Sequence, residues 1–375
     1  MQDSSESIVQ HCILYLLFSI IYSLPMIRNI IARRTEVYDA TSPDYVPDSR
    51  LAPSPNGTIL ILGAARSGTT WLATIFDSHE DVLYRHEPDI RLRQTSIPQV
   101  CGRAAIGRYR EEARAYLLQL AVLAVRNTAG RPLLFRKSYR SAVACAMRIS
   151  QIYLYRVLAN IWPAADALTV ADRMRRGTNS RVLIKSVSAC GRAGLYAEAL
   201  PEACIIFVVR SPFGQVASML RGTTTGRLDG YRATNRLADW HEASDYGLTA
   251  GDFEAMSLVE RLAWHWVLSF AKVLDDLEGR PNIKMVAYER LCETPLATAE
   301  QLFEFVGLTM SGQTRRFITR STRSRISDSY YSVFKNPAVV ANRWKESLTS
   351  ADQAIIQSIV ERTRAYDEYR RILSA

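Results

Sequence analysis

An α/β fold, a parallel sheet flanked by helices, is predicted from three features of the chain: short, largely apolar runs recur, a helical pattern follows each, and glycines bracket the first junction. The runs are residues 59–62, 182–184, 205–209 and 283–287, all of strand length and most of them rich in Ile, Val and Leu. The patterns behind them predict helices over 69–78, 192–200, 213–220 and 298–306. Strands separated by helices need crossover connections, so they run parallel. Residues 111–176 read as mostly helical, with amphipathic stretches at 116–126 and 142–159. The expected organisation is a hydrophobic segment with a basic flank over 1–35, a Pro-rich linker over 36–57, and one domain over 58–375 with a helical insertion at about 105–180.

The first junction carries chemistry. The apolar run ends at Gly63, the turn holds Arg66, Ser67 and Gly68, and Thr69, Thr70 and Trp71 open the helix. Backbone N–H groups at a helix start lack intrahelical partners and sit at the positive end of the helix dipole, so they hold phosphate well. The spacing of Gly63, Gly68 and Thr70 fits the Walker A loop of nucleotide-binding proteins, but Thr69 stands where that loop has its lysine. The cation is Arg66, inside the turn.

A second constellation lies at the end of the 205–209 run. The strand runs into Arg210, Pro212 opens a helix, and Ser218 follows about two turns later, so Arg210 and Ser218 can face one anion.

With both constellations in order along the chain, the sequence resembles the sulfotransferases that use 3′-phosphoadenosine-5′-phosphosulfate (PAPS), over about residues 58–350. The resemblance implies a P-loop-like fold in which Arg66–Trp71 cradles the 5′-phosphosulfate, with Trp71 able to stack on adenine. It also implies that Arg210 and Ser218 bind the 3′-phosphate, the group that separates PAPS from common nucleotides. Three further segments match. Lys185 stands at a strand end, where relatives hold a lysine near the transferred sulfuryl group; Tyr288, in Tyr288-Glu289-Arg290-Leu291, corresponds to a tyrosine near the adenine; and Arg343-Trp344-Lys345 resembles the C-terminal segment that closes over the 3′-phosphate, with Lys335 as an additional cation.

The acceptor base follows the tyrosylprotein and carbohydrate branch of the resemblance. Cytosolic aryl enzymes have a histidine two residues after the strand-end lysine, where this chain has Val187. In Arg85-His86-Glu87-Pro88 the resemblance implies Glu87 as base, with His86 as the rival because an ordinary imidazole titrates near neutrality. Asp89 stands where those relatives carry an arginine, so acceptor identity does not transfer. The implied reaction moves the sulfuryl group from PAPS to a hydroxyl of a glycan, lipid or tyrosine and leaves PAP. Its charge is stabilised by helix N–H groups, Arg66 and Lys185, with no metal. A kinase or NTPase, and a PAP-binding membrane protein without activity, are the alternatives; oligomeric state stays open.

Composition agrees with anion chemistry. The net charge is +10, and only six of the 47 basic residues are lysines, so the cationic surface is largely guanidinium, which suits bidentate sulfate and phosphate contacts. No zinc-finger, basic-zipper or RNA-motif spacing accompanies this charge, so nucleic acid is not an expected partner. Six scattered cysteines without a Cys-x-x-Cys pair give neither a disulfide framework nor a metal cluster. Residues 8–27 are uncharged and apolar, near the length of helix that crosses the roughly 30 Å of a bilayer core. A membrane partner is therefore expected through this segment. Arg28, Arg33 and Arg34 behind it would hold the folded domain on the cytoplasmic side, with the Golgi lumen as the alternative.

Overall fold

The computed structural model describes residues 57–129, 133–170, 180–230, 234–323 and 337–375. The segment 8–27, nearly all of the Pro-rich linker and Lys335 lie outside them. Five strands form one sheet: β1 (Thr58–Leu62), β2 (Val82–His86), β3 (Arg181–Ser186), β4 (Cys204–Val209) and β5 (Ile283–Ala287). Their order is β2-β3-β1-β4-β5, and all four pairings are parallel. The parallel sheet expected from the alternation of runs and helices is present.

The connections are helical. They comprise α1 (Thr69–Asp77) after β1, α2 (Ile106–Val122) and α3 (Ala142–Ile161) between β2 and β3, and α4 (Ala193–Ala199) before β4. After β4 come α5 (Pro212–Thr224) and α6 (Leu258–Leu277). Beyond β5 lie α7 (Tyr288–Glu293), α8 (Gly312–Arg323), α9 (Pro337–Asn342) and α10 (Trp344–Ser347).

Alternate residues of each strand serve opposite layers, because side chains of a strand point to the two faces in turn. Leu60, Leu62, Val182, Ile184, Ile205 and Phe207 face a layer built from α2, α4, α5 and α6. Ile59, Ile61, Leu183, Ile206 and Val208 face the other, with α1, α7 and α8. Burial on both faces explains why the central strands read as unbroken apolar runs. Helix α6 begins at a capping box, in which Ser257 and Glu260 satisfy each other's backbone N–H groups.

Strand β2 is absent from the sequence-based expectation. It is an edge strand, and its residues Arg85 and His86 interrupt the apolar pattern. Arg85 is nonetheless buried, with its Nε donating to the Ala121 carbonyl at 2.9 Å. Burial lowers the affinity of this guanidinium for its proton, down to about 10.

Since all strands are parallel, their C-terminal ends share one edge, and the chain order reverses around β1, whose neighbours are β3 and β4. In such sheets the crevice at that reversal is where ligands sit. Every residue named above as a cofactor or catalytic candidate, Lys335 excepted, lies on or just beyond this edge or in the C-terminal helices beside it.

Candidate active site

The turn after β1 is shaped by close approach. A Cβ on Gly63 would stand 2.6 Å from the Val208 carbonyl oxygen and 2.7 Å from Ser67 Oγ, so only glycine lets β1 turn beside β4. Arg66 and Gly68 both have left-handed backbone, with φ of 72° and 95°. Gly68 forms the N-cap of α1 without any side-chain hydrogen bond; Trp71 N donates to the Gly68 carbonyl at 3.1 Å, and the N–H groups of Thr69 and Thr70 are left for another partner. Ser67 is buried, and its Oγ has no hydrogen-bond partner among the described residues. These features suit the oxygens of a phosphate or sulfate.

Tyr288 forms the floor under Gly68: a Cβ there would reach 2.2 Å from Tyr288 Cδ2. Gly68→Ala therefore combines a left-handed backbone, which costs a side-chain-bearing residue about 1–3 kcal/mol, with a steric clash. Its melting temperature is expected to fall and its affinity for PAP to drop, as read by thermal unfolding with and without PAP. An unchanged melting temperature would show that the loop relaxes freely.

The two cationic constellations meet. Arg66 Nε donates to Ser218 Oγ at 3.0 Å, and an Arg210 terminal nitrogen donates to the Arg66 carbonyl oxygen at 3.1 Å. Arg210 lies over the Tyr288 ring at 4.8 Å, and its other terminal nitrogen donates to the Val340 carbonyl at 3.2 Å. Its Nε is buried without a partner among the described residues. Gly214 makes room for it, since a Cβ at that position would stand 2.8 Å from Arg210 Nε. The backbone behind Arg210 is also fixed: Trp266 Nε1 donates to the Arg210 carbonyl at 2.8 Å, and Ser211 N donates to Glu289 Oε1 at 3.0 Å. Burial pushes the Glu289 carboxyl above its usual range, while the nearby Arg210 cation pulls the other way.

On the other side of β1, the ends of β2 and β3 bring Glu87 and Lys185 together. His86 pairs with Lys185 in register, and Glu87 N donates to the Lys185 carbonyl at 2.9 Å. The Lys185 ammonium, fully buried, donates to Glu87 Oε1. His86 Nε2 stands 3.7 Å from the same carboxylate oxygen, and its Nδ1 is 2.6 Å from the Tyr84 hydroxyl. Glu87 itself has φ 42°, a left-handed turn that ends β2 and aims the side chain across the strand ends. Asp89 anchors that turn. Its Oδ2 accepts from Ser186 Oγ at 2.6 Å and from Ser188 Oγ, and burial raises its carboxyl above the ordinary range.

Thr69 is buried and Thr70 half-buried on the first turn of α1. Trp71 is buried in the layer below the loop, edge-on to Tyr288 at 6.3 Å, with Nε1 donating to Ser321 Oγ at 3.3 Å. Only 8% of its surface is exposed, so the indole supports the loop from beneath. Trp344 stacks on Phe213 at 4.8 Å, beside the start of α5, and Lys345 is exposed with its ammonium 5.8 Å from the Trp344 ring. Neither Arg343 nor Lys345 enters an ion pair among the described residues. Tyr84, Ser186, Gly214 and Glu289 are the contributors that sequence reasoning did not single out. Glu289 adjoins Tyr288 in the quoted segment, while Tyr84 and Ser186 gain meaning only through strand register.

Comparison with known proteins follows the same lines. A family model described as "Sulfotransferase family" matches residues 58–312. Carbohydrate sulfotransferase 1 of Rattus norvegicus is 24% identical over 359 residues, covering 84% of this chain and 80% of the relative. The Homo sapiens protein of the same name is 24% identical over 343 residues, covering 83% and 79%. Among solved structures, the sulfotransferase domain of the Synechococcus PCC 7002 olefin synthase aligns with TM-score 0.40 at 15% identity, over 81% of this chain and 93% of that one. Mouse sulfotransferase SULT7A1 complexed with PAP aligns with TM-score 0.36 at 13% identity, over 85% and 88%.

Proposed function

Because the chain belongs to the sulfotransferase family, we propose that it takes the sulfuryl group from PAPS and delivers it to a hydroxyl of a carbohydrate acceptor. The observation that carries this reading is the contact between the two cationic constellations, Arg66 with Ser218 and Arg210 with Arg66, at one edge of the sheet. The carbohydrate acceptor is supported by the relatives' name.

In this reading the α1 N-terminus, Ser67, Thr69 and Thr70 hold the 5′-phosphosulfate. Arg210 and Ser218 hold the 3′-phosphate, with Arg343, Trp344 and Lys345 closing over it. Tyr288 forms the hydrophobic floor toward the adenine, with Trp71 packed beneath the loop. The residues fit such a ligand because Ser67 Oγ and Arg210 Nε are buried polar atoms suited to anionic oxygens.

Transfer is an in-line displacement: the acceptor oxygen bonds to sulfur as the bond from sulfur to the leaving phosphate oxygen breaks. Charge spreads over the equatorial oxygens, where Lys185, Arg66 and the helix N–H groups act as preorganised positive groups. Glu87 takes the hydroxyl proton as the new bond forms. Before donor binding, Lys185 and Glu87 neutralise each other. A sulfuryl group gives the lysine a second anionic partner and frees the carboxylate for the acceptor. His86, held by Tyr84, orients Glu87 from the side.

The test is transfer of radiolabel from ³⁵S-labelled PAPS to a panel of carbohydrates, tyrosine peptides and hydroxylated lipids. Labelled carbohydrate supports the reading. Label confined to peptide or lipid would replace the acceptor class, and magnesium-dependent ATP hydrolysis without sulfuryl transfer would replace the reaction.

A further inference from the structure

Helix α3 is patterned inside out. Its twenty residues contain no acid and two arginines. Arg148 points inward, 9% exposed, and donates to the Ala129 carbonyl, while Ile152 is buried on the same side. The opposite side carries Val143, Met147, Leu154, Val157 and Ile161, spaced to form one stripe along five turns. Val143, Met147 and Ile161 are 70%, 68% and 60% exposed, and Tyr153 beside them is 54% exposed. A helix at a water-facing surface has the reverse arrangement, with its charge outward and its apolar stripe inward.

The position of α3 identifies what such a face meets. Lys137 and Tyr139, just ahead of it, both donate to the Val82 carbonyl at the start of β2. Thr58, where the chain enters the sheet from residues 1–56, begins β1, two strands away along the same edge. Neighbouring strands are spaced so that this separation is about 10 Å. The apolar segment 8–27 and its arginine flank precede, in sequence, the strand that begins at that edge. Arg156 on the helix and Arg136 ahead of it are exposed, and the helix carries no acid, so its charge suits anionic headgroups. Among the described residues no helix, α3 included, is long and apolar enough to cross a bilayer.

We propose that the outward face of α3 rests in the headgroup region of a lipid membrane. The β-strand starts then face the bilayer, and the Arg66–Arg210 site, at the strand ends, faces away from it. This inference stands on patterning and placement and does not depend on the sulfuryl-transfer reading.

The full chain, reconstituted in vesicles of phosphatidylcholine and phosphatidylserine, would carry the photocrosslinker p-benzoylphenylalanine in place of Met147, Val157 or, as an exposed control, Glu254. Circular dichroism checks that each variant is folded. The expected result is a mass gain of one phospholipid at 147 and at 157, and none at 254. Adducts at 147 and 157 to a second copy of the chain, or to its own residues 8–27, would overturn the proposal in favour of a protein contact. A failure to gain lipid mass at either position, or failure of the chain to float with vesicles, would also overturn it.

Discussion

Arg210→Ala is expected to abolish tight binding of PAP while leaving the fold intact. The guanidinium is buried, supported by Tyr288, and tied to the Arg66 and Val340 carbonyls, so it is set in place before any ligand arrives. Truncating one partner of a buried charged contact costs about 2–5 kcal/mol. That corresponds to a dissociation constant raised roughly 30-fold to several thousand-fold. Calorimetric titration with PAP reads the loss, and thermal unfolding without ligand separates it from collapse of the site. Arg210→Lys keeps the charge but not the planar fork, so it is expected to recover only part of the affinity. Affinity for AMP, which lacks the 3′-phosphate, is expected to change little in either variant.

Glu87→Gln should leave PAP affinity in place and remove turnover. A positioned general base contributes about 100- to 10,000-fold to rate, and the amide retains the shape of the side chain without its basicity. The ion pair to Lys185 goes with it, so binding and turnover must be measured in parallel, by PAP titration and by single-turnover transfer of labelled sulfuryl groups. Turnover that survives in Glu87→Gln but disappears in His86→Asn would pass the base assignment to His86.

The parts of the molecule legible in the sequence are those in which local pattern and tertiary role agree. Strands β1 and β4 are apolar because they are buried on both faces, and the same burial fixes the turns that follow them. Gly63, Arg66 and Gly68 could be picked out because a tight strand-to-helix turn restricts residue type strongly. Strand β2 escaped because its last two residues are cationic or ionisable, yet the fold satisfies Arg85 with the carbonyls of Ala121 and of its own neighbour Tyr84. Helix α6 offered a capping-box signal at Ser257 and Glu260 that could have revealed it.

The site was legible in its cations and opaque in its supports. The link between Lys185 and Glu87 comes from the register of β2 on β3 across a long separation in sequence, which no local spacing encodes. Gly214 is readable only once Arg210 is seen to lean over it. Asp89 has a local role, since Ser186 and Ser188 both donate to it and pin the turn that presents Glu87. Trp71 illustrates the converse. Its place in the motif suggested a stacking surface, but its hydrogen bond to Ser321 and its burial make it part of the loop's foundation.

In the proposed complex one bisphosphorylated adenosine bridges the α1 turn and the Arg210–Ser218 pair. Titration of the full chain with PAP and with AMP, side by side in wild type and Arg210→Ala, addresses it most directly. Wild type is expected to prefer PAP strongly, and the substitution to erase the preference. Equal affinity for the two nucleotides in wild type, or a preference that persists without Arg210, would contradict it.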